Sequence, residues 1–184
     1  MIITISGDAG SGKTTVANIL AKKLKLKSYY MGEIRRKAAG AKGMTLDEFN
    51  RLGEKDISTD KLVDEYQEKL GKEKDDFIIQ GRTSFYFIPD SIKIFLAVSL
   101  EEGARRILKD LKGDKAEERN EAKSIKTLGD MKKSLEERKK SDIKRYKKYY
   151  SLDIYDKKLY DLVIDTTKLT PKNVVDKILK FIKE

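Results

Sequence analysis

The chain has 184 residues, with 41 Lys plus Arg, 31 Asp plus Glu and a formal net charge of +10. This length suits one sizeable core, so we expect a single domain over residues 1–184. The absence of Cys and His excludes the common zinc sites and His-based nucleophilic catalysis. No apolar run approaches about 18 residues, so we predict no membrane span and expect a cytoplasmic protein. The basic excess fits either solvated lysines or small, multiply charged anions as ligands.

Short apolar runs alternate with amphipathic segments along the chain. The first half predicts strand 2–6, helix 13–24, strand 26–30, a helix from Gly32, a helix opened by a Thr45–Glu48 capping box, helix 58–70 and strand 77–81. The second half predicts strand 92–99, a helix opened by a Ser99–Glu102 capping box, a long basic helix 131–150, strand 160–167 and a closing helix from Pro171. About five strands that are apolar on both faces predict a three-layer α/β domain with a five-stranded parallel sheet.

The stretch GDAGSGKTT follows the first strand and opens the first helix. It matches the P-loop pattern Gly-x-x-x-x-Gly-Lys-Thr in the context that this pattern requires. Glycines let backbone N–H groups face phosphate oxygens, and the helix N-terminus adds a positive partial charge. Lys13 should reach the β- and γ-phosphates, and the Thr14 hydroxyl should ligate Mg²⁺. The predicted ATP-binding loop is Gly7, Asp8, Ala9, Gly10, Ser11, Gly12, Lys13, Thr14 and Thr15.

Asp8 brings a carboxylate into this loop. An acid that faces a triphosphate would be costly, so we expect its side chain to turn outward, towards Arg82 or Arg36. The alternative is a solvated loop carboxylate.

Three further segments resemble nucleoside monophosphate kinases, and most closely the archaeal-type cytidylate kinases. MGEIRR is similar to the Thr-Gly-Asp-x-x-Arg segment of adenylate kinase relatives, with Gly32 and Arg36 at the matching positions. IIQGRTSFYFIPDSIKIFL is similar to the cytidylate kinase stretch that begins Asp-Gly-Arg-Asp, with Gly81 and Arg82 at the matching positions. The resemblance spans nearly the whole chain.

The third matching segment is ERKKSDIKRY, which carries Arg138, Asp142 and Arg145 at the spacing i, i+4 and i+7. That spacing puts the three side chains on one helix face. The resemblance implies that Arg82, Arg138 and Arg145 act with Lys13 in catalysis. It implies acceptor contacts for Gly32, Arg36, Gly81, Arg82, Arg138, Asp142 and Arg145.

The resemblance also implies an adenylate-kinase-like layout. Residues of about 31–75 would form the acceptor-binding helices, and residues of about 109–131 a lid that excludes water, although an ordinary long loop is the alternative. Arg106 resembles the arginine at the lid base that packs against the donor adenine. Gln80 departs from the family, because many relatives have an acid there that helps to hold Mg²⁺ through water.

We therefore expect an ATP-dependent kinase for CMP or dCMP, with Mg²⁺ as cofactor and a monomeric state. One alternative is another small-acceptor kinase, similar to an adenylate kinase of the archaeal nuclear type or to a shikimate kinase. Another is a nucleotide-dependent RNA-binding protein that uses the basic and aromatic segment RYKKYYSLDIYDKKLY. We expect the tyrosines of that segment to pack the long helix against the core, so nucleic acid is not the favoured partner.

Overall fold

Five parallel strands form one sheet in the order β2-β3-β1-β4-β5. The computed structural model describes residues 1–113 and 121–183. The strands are β1 (Ile2–Gly7), β2 (Lys27–Tyr30), β3 (Phe77–Gln80), β4 (Ile92–Ala97) and β5 (Leu162–Asp165). The predicted five-stranded parallel sheet is confirmed. The strands end one to two residues from the predicted limits, which is the usual uncertainty of such boundaries.

Helices connect the strands and cover both faces of the sheet. They are α1 (Lys13–Leu24), α2 (Met31–Ala41), α3 (Leu46–Gly53), α4 (Ser58–Glu73), α5 (Ser84–Phe87), α6 (Leu100–Leu111), α7 (Leu128–Tyr150) and α8 (Pro171–Lys183), with a short 3₁₀ turn at Lys157–Leu159. The long basic helix α7 begins before the predicted residue 131, because Thr127 and Asp130 form a capping box.

The two capping boxes that the sequence predicts have different outcomes. Thr45 and Glu48 form the complete box at the start of α3. Ser99 accepts a hydrogen bond from the backbone N–H of Glu102, but the Glu102 carboxylate binds Arg105 and Arg106 instead of closing the box. The second box is therefore only half formed, since two arginines compete for its acid.

The central strands are buried, but the two edge strands are not. Lys27 and Ser28 of β2 are exposed, as are Val163 and Asp165 of β5. The prediction that all five strands are apolar on both faces is wrong for these two, because they form the edges of the sheet and have a neighbouring strand on one side only.

Separate apolar clusters fill the two faces of the sheet. On one face α1 and α8 pack on the central strands through residues such as Leu20, Ile94 and Ile178. On the other face Tyr146 of α7 and the following Tyr160 join Phe85 and Phe95. The expected packing of the tyrosines against the core is confirmed.

The charged segment 109–131 is helical at both ends, because α6 continues to Leu111 and α7 begins at Leu128. Residues 114–120 lie outside the described residues, so the lid stays a prediction. No helix in the described ranges is long and apolar enough to span a bilayer. The carboxyl ends of β1 and β3 bring Gly7 and Gln80 to the same edge of the sheet, where ligands gather in open α/β folds.

Candidate functional site

The loop between β1 and α1 needs glycine at two points of close approach. A Cβ on Gly7 would lie 2.1 Å from the carbonyl oxygen of Leu96, and a Cβ on Gly10 would lie 2.4 Å from that of Gly103. Both residues also have positive φ, as does Gly12 at the start of α1. The first turn of α1 has no acid and no side-chain cap. Its backbone N–H groups are thus left for an anion.

Lys13 is held across the mouth of this loop. Its Nζ donates to the carbonyl oxygens of Gly7 at 2.9 Å and Asp8 at 2.5 Å, and it lies 3.3 Å from Oγ of Ser11. The ammonium therefore sits over the loop that would receive phosphate. Ser11 is buried, and Ala9 packs with the cluster beneath α6.

Thr14, the second residue of α1, faces the end of β3. Its hydroxyl donates to Oε1 of Gln80 at 2.9 Å. Gln80 is 2% exposed, so this amide is fixed by the sheet. Two neutral oxygens thus lie together beside the loop, and both Thr14 and Thr15 are exposed residues of the first turn of α1.

Asp8 turns away from the loop, as expected, but the predicted partners are wrong. Its Oδ2 accepts a hydrogen bond from the backbone N–H of Val98 at 3.2 Å, and its Oδ1 lies 4.0 Å from Nζ of Lys139. The physical reason is local: β4 runs beside β1 and presents this N–H just past its last residue. Asp8 is therefore neither paired with Arg82 or Arg36 nor a solvated carboxylate.

Arg106 of α6 connects the loop to the end of β5. It donates to the carbonyl oxygens of Thr166 at 2.9 Å and Thr167 at 3.2 Å, and it reaches the carbonyl oxygen of Gly10 at 3.4 Å. Glu102 holds its Nε at 2.9 Å. The guanidinium is thus held between two main-chain segments, the loop at Gly10 and the end of β5 at Thr166 and Thr167.

The predicted trio on α7 does lie on one face, and that face points inward. Arg138, Asp142 and Arg145 are 4%, 0% and 0% exposed. Asp142 accepts from Arg145 NH2 at 2.7 Å and from the hydroxyl of Tyr155 at 3.1 Å, and it pairs with Arg82 Nε at 3.0 Å. One buried carboxylate therefore joins Arg82, which follows β3, to Arg145 of α7.

Arg138 is bound by two carboxylates from different segments. Its NH2 lies 2.5 Å from Glu121 and 2.9 Å from Asp47 of α3. Burial disfavours the charged guanidinium, but the two acids outweigh burial and raise its pKa. Neither acid could be anticipated from local spacing, since both lie far from residue 138 along the chain.

A second buried cluster was not predicted from the sequence. Asp60 of α4 binds Arg145 NH1 through both oxygens, at 2.5 and 2.7 Å, and it also binds Arg35 NH1 at 2.8 Å. Arg35 further donates to Asn50 at 2.8 Å. Burial and the neighbouring Arg145 lower the pKa of Arg35. The sequence contains one indication of this cluster, because three polar residues of α4 share a helix face with the apolar Val63 and Leu70. These polar residues are Asp60, Asp64 and Gln67.

The segment after β2 places Arg36 beside Tyr30, whose hydroxyl accepts from the guanidinium. Gly32 lies under the same tyrosine, because a Cβ there would come within 2.4 Å of the ring. Gly81 is similarly closed in, since a Cβ at that position would lie 2.3 Å from Oγ of Ser84. Strands β2 and β3 pair in parallel. Arg36 follows β2 and Arg82 follows β3, so the two arginines come after neighbouring strands.

Thr83, which follows Arg82, is buried in a polar cluster. Its hydroxyl donates to Oδ1 of Asp64 at 3.2 Å and lies 2.8 Å from Nε2 of Gln67. Tyr150 of α7 donates to the other oxygen of Asp64. Burial raises the pKa of Asp64 to about 6 despite these hydrogen bonds. These hydrogen bonds connect α4 to α7 through Asp64 and Tyr150.

A cleft of about 290 Å³ opens beside the loop, with Asp8, Lys139, Tyr155 and Thr167 among its lining residues. A larger groove of about 710 Å³ runs between β5 and α8, away from Lys13 and the buried arginines. The smaller cleft borders the loop at Asp8 and the buried cluster at Tyr155, whose hydroxyl donates to Asp142, whereas Lys13, Arg82 and the arginines of α7 line neither opening.

Comparison with known proteins gives consistent matches. The sequence profile of the cytidylate kinase-like family matches residues 2–168. The cytidylate kinase of Methanocella arvoryzae is 38% identical over 186 residues, covering 100% of this chain and 98% of that protein. The cytidylate kinase of Archaeoglobus fulgidus is 34% identical over 184 residues, covering 100% and 95%. The shikimate kinase structure from Aquifex aeolicus superposes with a TM-score of 0.55 at 23% identity, covering 100% and 96%, a likeness of fold alone.

Proposed function

Because the chain belongs to the cytidylate kinase-like family, we propose that it transfers the γ-phosphoryl group of ATP to CMP or dCMP. The products are ADP and CDP or dCDP. Family membership makes the chain a nucleotide kinase, and cytosine as the acceptor base is the proposed part. The observation that carries the proposal is the ion pair of Arg82 with Asp142, which joins the end of β3, next to the P-loop, to the arginine face of α7.

The donor half of the site consists of the loop Gly7–Thr15. Its backbone N–H groups and the N-terminus of α1 bind the phosphates, and Lys13 leaves the loop carbonyls to contact the β- and γ-phosphates. Arg106 contacts the loop at the carbonyl oxygen of Gly10, and its flat guanidinium would offer a stacking surface for adenine.

The acceptor half consists of Arg36, Arg82, Arg138 and Arg145, together with Gly32 and Gly81, which allow close packing against Tyr30 and Ser84. Arginine binds phosphate through parallel hydrogen bonds, so these side chains suit a monophosphate. Asp142 accepts hydrogen bonds and fits the hydroxyl groups of a pentose. The carboxylates of Asp47 and Glu121 compete with phosphate for Arg138, so substrate binding must displace at least one of them.

Mg²⁺ fits the oxygens that lie beside the loop. Thr14 supplies a hydroxyl and Gln80 an amide oxygen at 2.9 Å from it, and both are hard, neutral ligands or partners of metal-bound water. When bound, the ion neutralises charge that develops between the β- and γ-phosphates. Thr14 would hold it directly, with the remaining ligands from phosphate and water.

The transfer needs no strong protein base, because the acceptor phosphate is already an anionic nucleophile at neutral pH. Positioning and neutralisation of charge then supply the catalysis. Lys13 and the arginines at 82, 138 and 145 would stabilise negative charge on the transferred phosphoryl group. The absence of His in the sequence is consistent with this chemistry.

An acceptor panel tests the proposal. Purified protein with ATP and Mg²⁺ is assayed for ADP release with CMP, dCMP, UMP, AMP and shikimate in turn. We expect CMP or dCMP to give the highest kcat/KM. A clear preference for AMP or shikimate would overturn the cytosine assignment. The same preparation, examined by light scattering, should be monomeric, and the expected cytoplasmic location remains part of the proposal.

A further inference from the structure

Tyr155 reaches the buried arginines from a segment outside α7. It lies between α7 and β5, and its hydroxyl donates to Oδ2 of Asp142 at 3.1 Å. Burial and the neighbouring carboxylate of Asp142 hold the pKa of Tyr155 well above its usual value. The phenol therefore stays protonated at neutral pH and keeps its hydrogen for this carboxylate.

The ring of Tyr155 is held from more than one side. Nζ of Lys139 lies 4.5 Å from the ring centroid, and the ring of Phe95 in β4 meets it edge to face at a centroid distance of 6.4 Å. The backbone N–H of Tyr155 donates to Oδ1 of Asp153 at 2.9 Å. The hydroxyl is thus placed by the sheet and by its own loop as well as by α7.

The same oxygen of Asp142 holds Arg82. Nε of Arg82 lies 3.0 Å from Oδ2, while NH2 of Arg145 donates to Oδ1 at 2.7 Å. Among residues 1–113 and 121–183, no hydrogen bond engages NH1 or NH2 of Arg82. A guanidinium that is held at Nε keeps its two terminal nitrogens for parallel hydrogen bonds to phosphate oxygens.

The two arginines of α7 are bound differently. Both terminal nitrogens of Arg138 donate to Glu121, at 3.3 and 2.5 Å. NH1 of Arg145 donates to Asp60, and its NH2 is taken by the acid that also pairs with Arg82. Arg82 can therefore bind a phosphate through both terminal nitrogens without first displacing a carboxylate from them.

We infer that Tyr155 is a positioning residue for phosphoryl transfer, whose hydroxyl holds Oδ2 of Asp142 in the direction that presents NH1 and NH2 of Arg82 to phosphate. Tyr155 acts through Asp142 and touches neither nucleotide nor the reacting atoms. The inference rests on the proposed function only in requiring that Arg82 binds a phosphate.

The first test observes Arg82 without any substrate. Tyr155→Phe keeps the ring and removes the hydroxyl. The Nε–H signal of Arg82 in a proton–nitrogen NMR spectrum is identified by its loss in Arg82→Ala. It should shift and exchange faster with water in Tyr155→Phe, because Oδ2 of Asp142 loses the donor that fixes its direction. An unchanged signal would overturn the inference.

The second test is a double-mutant cycle on kcat/KM for the acceptor. Tyr155→Phe alone should lower kcat/KM by about tenfold, the effect of losing one hydrogen bond to a charged group. In the Arg82→Ala background the same change should alter kcat/KM by less than about twofold, because no arginine remains to be oriented. A loss of about tenfold in both backgrounds would show that Tyr155 acts independently of Arg82, and would overturn the inference.

Tyr149→Phe is the matched control. It removes a tyrosine hydroxyl of α7 that donates to the carbonyl oxygen of Gly53 at 2.8 Å and has no contact with Asp142. The Arg82 signal and kcat/KM should both equal those of the original protein.

The two tests separate this inference from the proposed function. Because the NMR measurement needs no substrate, a shifted Arg82 signal together with failure to phosphorylate CMP would overturn only the proposed function. CMP turnover with an Arg82 signal that is insensitive to Tyr155→Phe would overturn only this inference.

Discussion

Asp60 and Arg145 form a fully buried, two-pronged ion pair, with Oδ1 and Oδ2 at 2.5 and 2.7 Å from one guanidinium nitrogen. The pair connects α4 to α7, and the same carboxylate also binds Arg35 of α2. Three helices, α2, α4 and α7, therefore depend on one acid. Burying such an ion pair costs desolvation free energy. Removing one partner lowers stability still more, because the remaining charge stays buried.

Asp60→Ala should accordingly lower the free energy of unfolding by about 3–5 kcal/mol, since it removes the acid that pairs with the buried Arg35 and leaves Arg145 with Asp142 alone. Urea unfolding followed by circular dichroism measures this change. Asp176→Ala is the control, because Asp176 pairs with Lys23 on the surface, at 3.3 Å and with both side chains near half exposed. The control should cost about 1 kcal/mol or less. Equal losses in the two variants would contradict the structural role of Asp60.

Arg82→Ala should reduce kcat/KM for the acceptor by about 10²–10³-fold, the usual effect of removing one donor that stabilises developing charge. The partner acid, Asp142, would retain Arg145 and Tyr155, so the fold should survive. Steady-state kinetics with varied CMP measure the effect. Arg105→Ala is the matched control, because Arg105 is an exposed arginine paired with Glu101 and Glu102. An unchanged kcat/KM in Arg82→Ala would remove Arg82 from the site.

Glu121→Gln should strengthen CMP binding. Glu121 holds Arg138 at 2.5 Å, so a phosphate that uses this arginine must displace a carboxylate. Replacing the carboxylate with an amide should tighten the Kd of CMP on the order of tenfold, the worth of a charge-assisted hydrogen bond. Calorimetric titration with CMP measures it.

The control for that titration is Glu137→Gln, which makes the same change of net charge at an exposed position of α7. It should leave the Kd of CMP unchanged. Weaker binding of CMP by Glu121→Gln would mean that Glu121 supports the acceptor site and does not compete with the acceptor.

Asp64 predicts a pH dependence of stability. Burial raises its pKa from 3.8 to about 6, so the folded protein binds this proton more tightly than the unfolded chain does. Its contribution to stability is therefore favourable at acidic pH and is lost as pH rises from about 4 through about 6. The loss should be on the order of 3 kcal/mol, from about two pKa units.

Asp64→Asn removes the titrating group and keeps a similar shape. The difference in unfolding free energy between this variant and the original protein should shift in favour of the variant between pH 4 and pH 7. Urea unfolding at both pH values measures this difference. A difference that is independent of pH would contradict the raised pKa.

The sequence alone predicts the parts that depend on local pattern. Strand and helix periodicity predicts the sheet, the glycine spacing predicts the loop at Gly7–Thr15, and helical spacing predicts that Arg138, Asp142 and Arg145 share a face. Each of these follows from short-range geometry. The partners of those arginines do not follow from short-range geometry. Only the tertiary fold brings the partner acids close to them, and these acids are Asp47, Asp60 and Glu121.

Asp8 shows the same limit. Charge alone suggested an arginine partner, but the carboxylate binds the N–H of Val98, which only the pairing of β1 with β4 brings within reach. The sequence does indicate a buried polar cluster on α4, because polar residues on an apolar helix face require buried partners. These polar residues are Asp60, Asp64 and Gln67. Which partners they find depends on how α4 packs against α2 and α7.

Direct product analysis is the sharpest test of the central claim that this chain is a CMP kinase. Purified protein is incubated with ATP, Mg²⁺ and an equimolar mixture of CMP and AMP, and the nucleotides are resolved by phosphorus NMR or chromatography over time. We predict that CDP and ADP appear in equal amounts while AMP is consumed far more slowly than CMP. Loss of AMP ahead of CMP, or release of ADP without CDP, would contradict the claim.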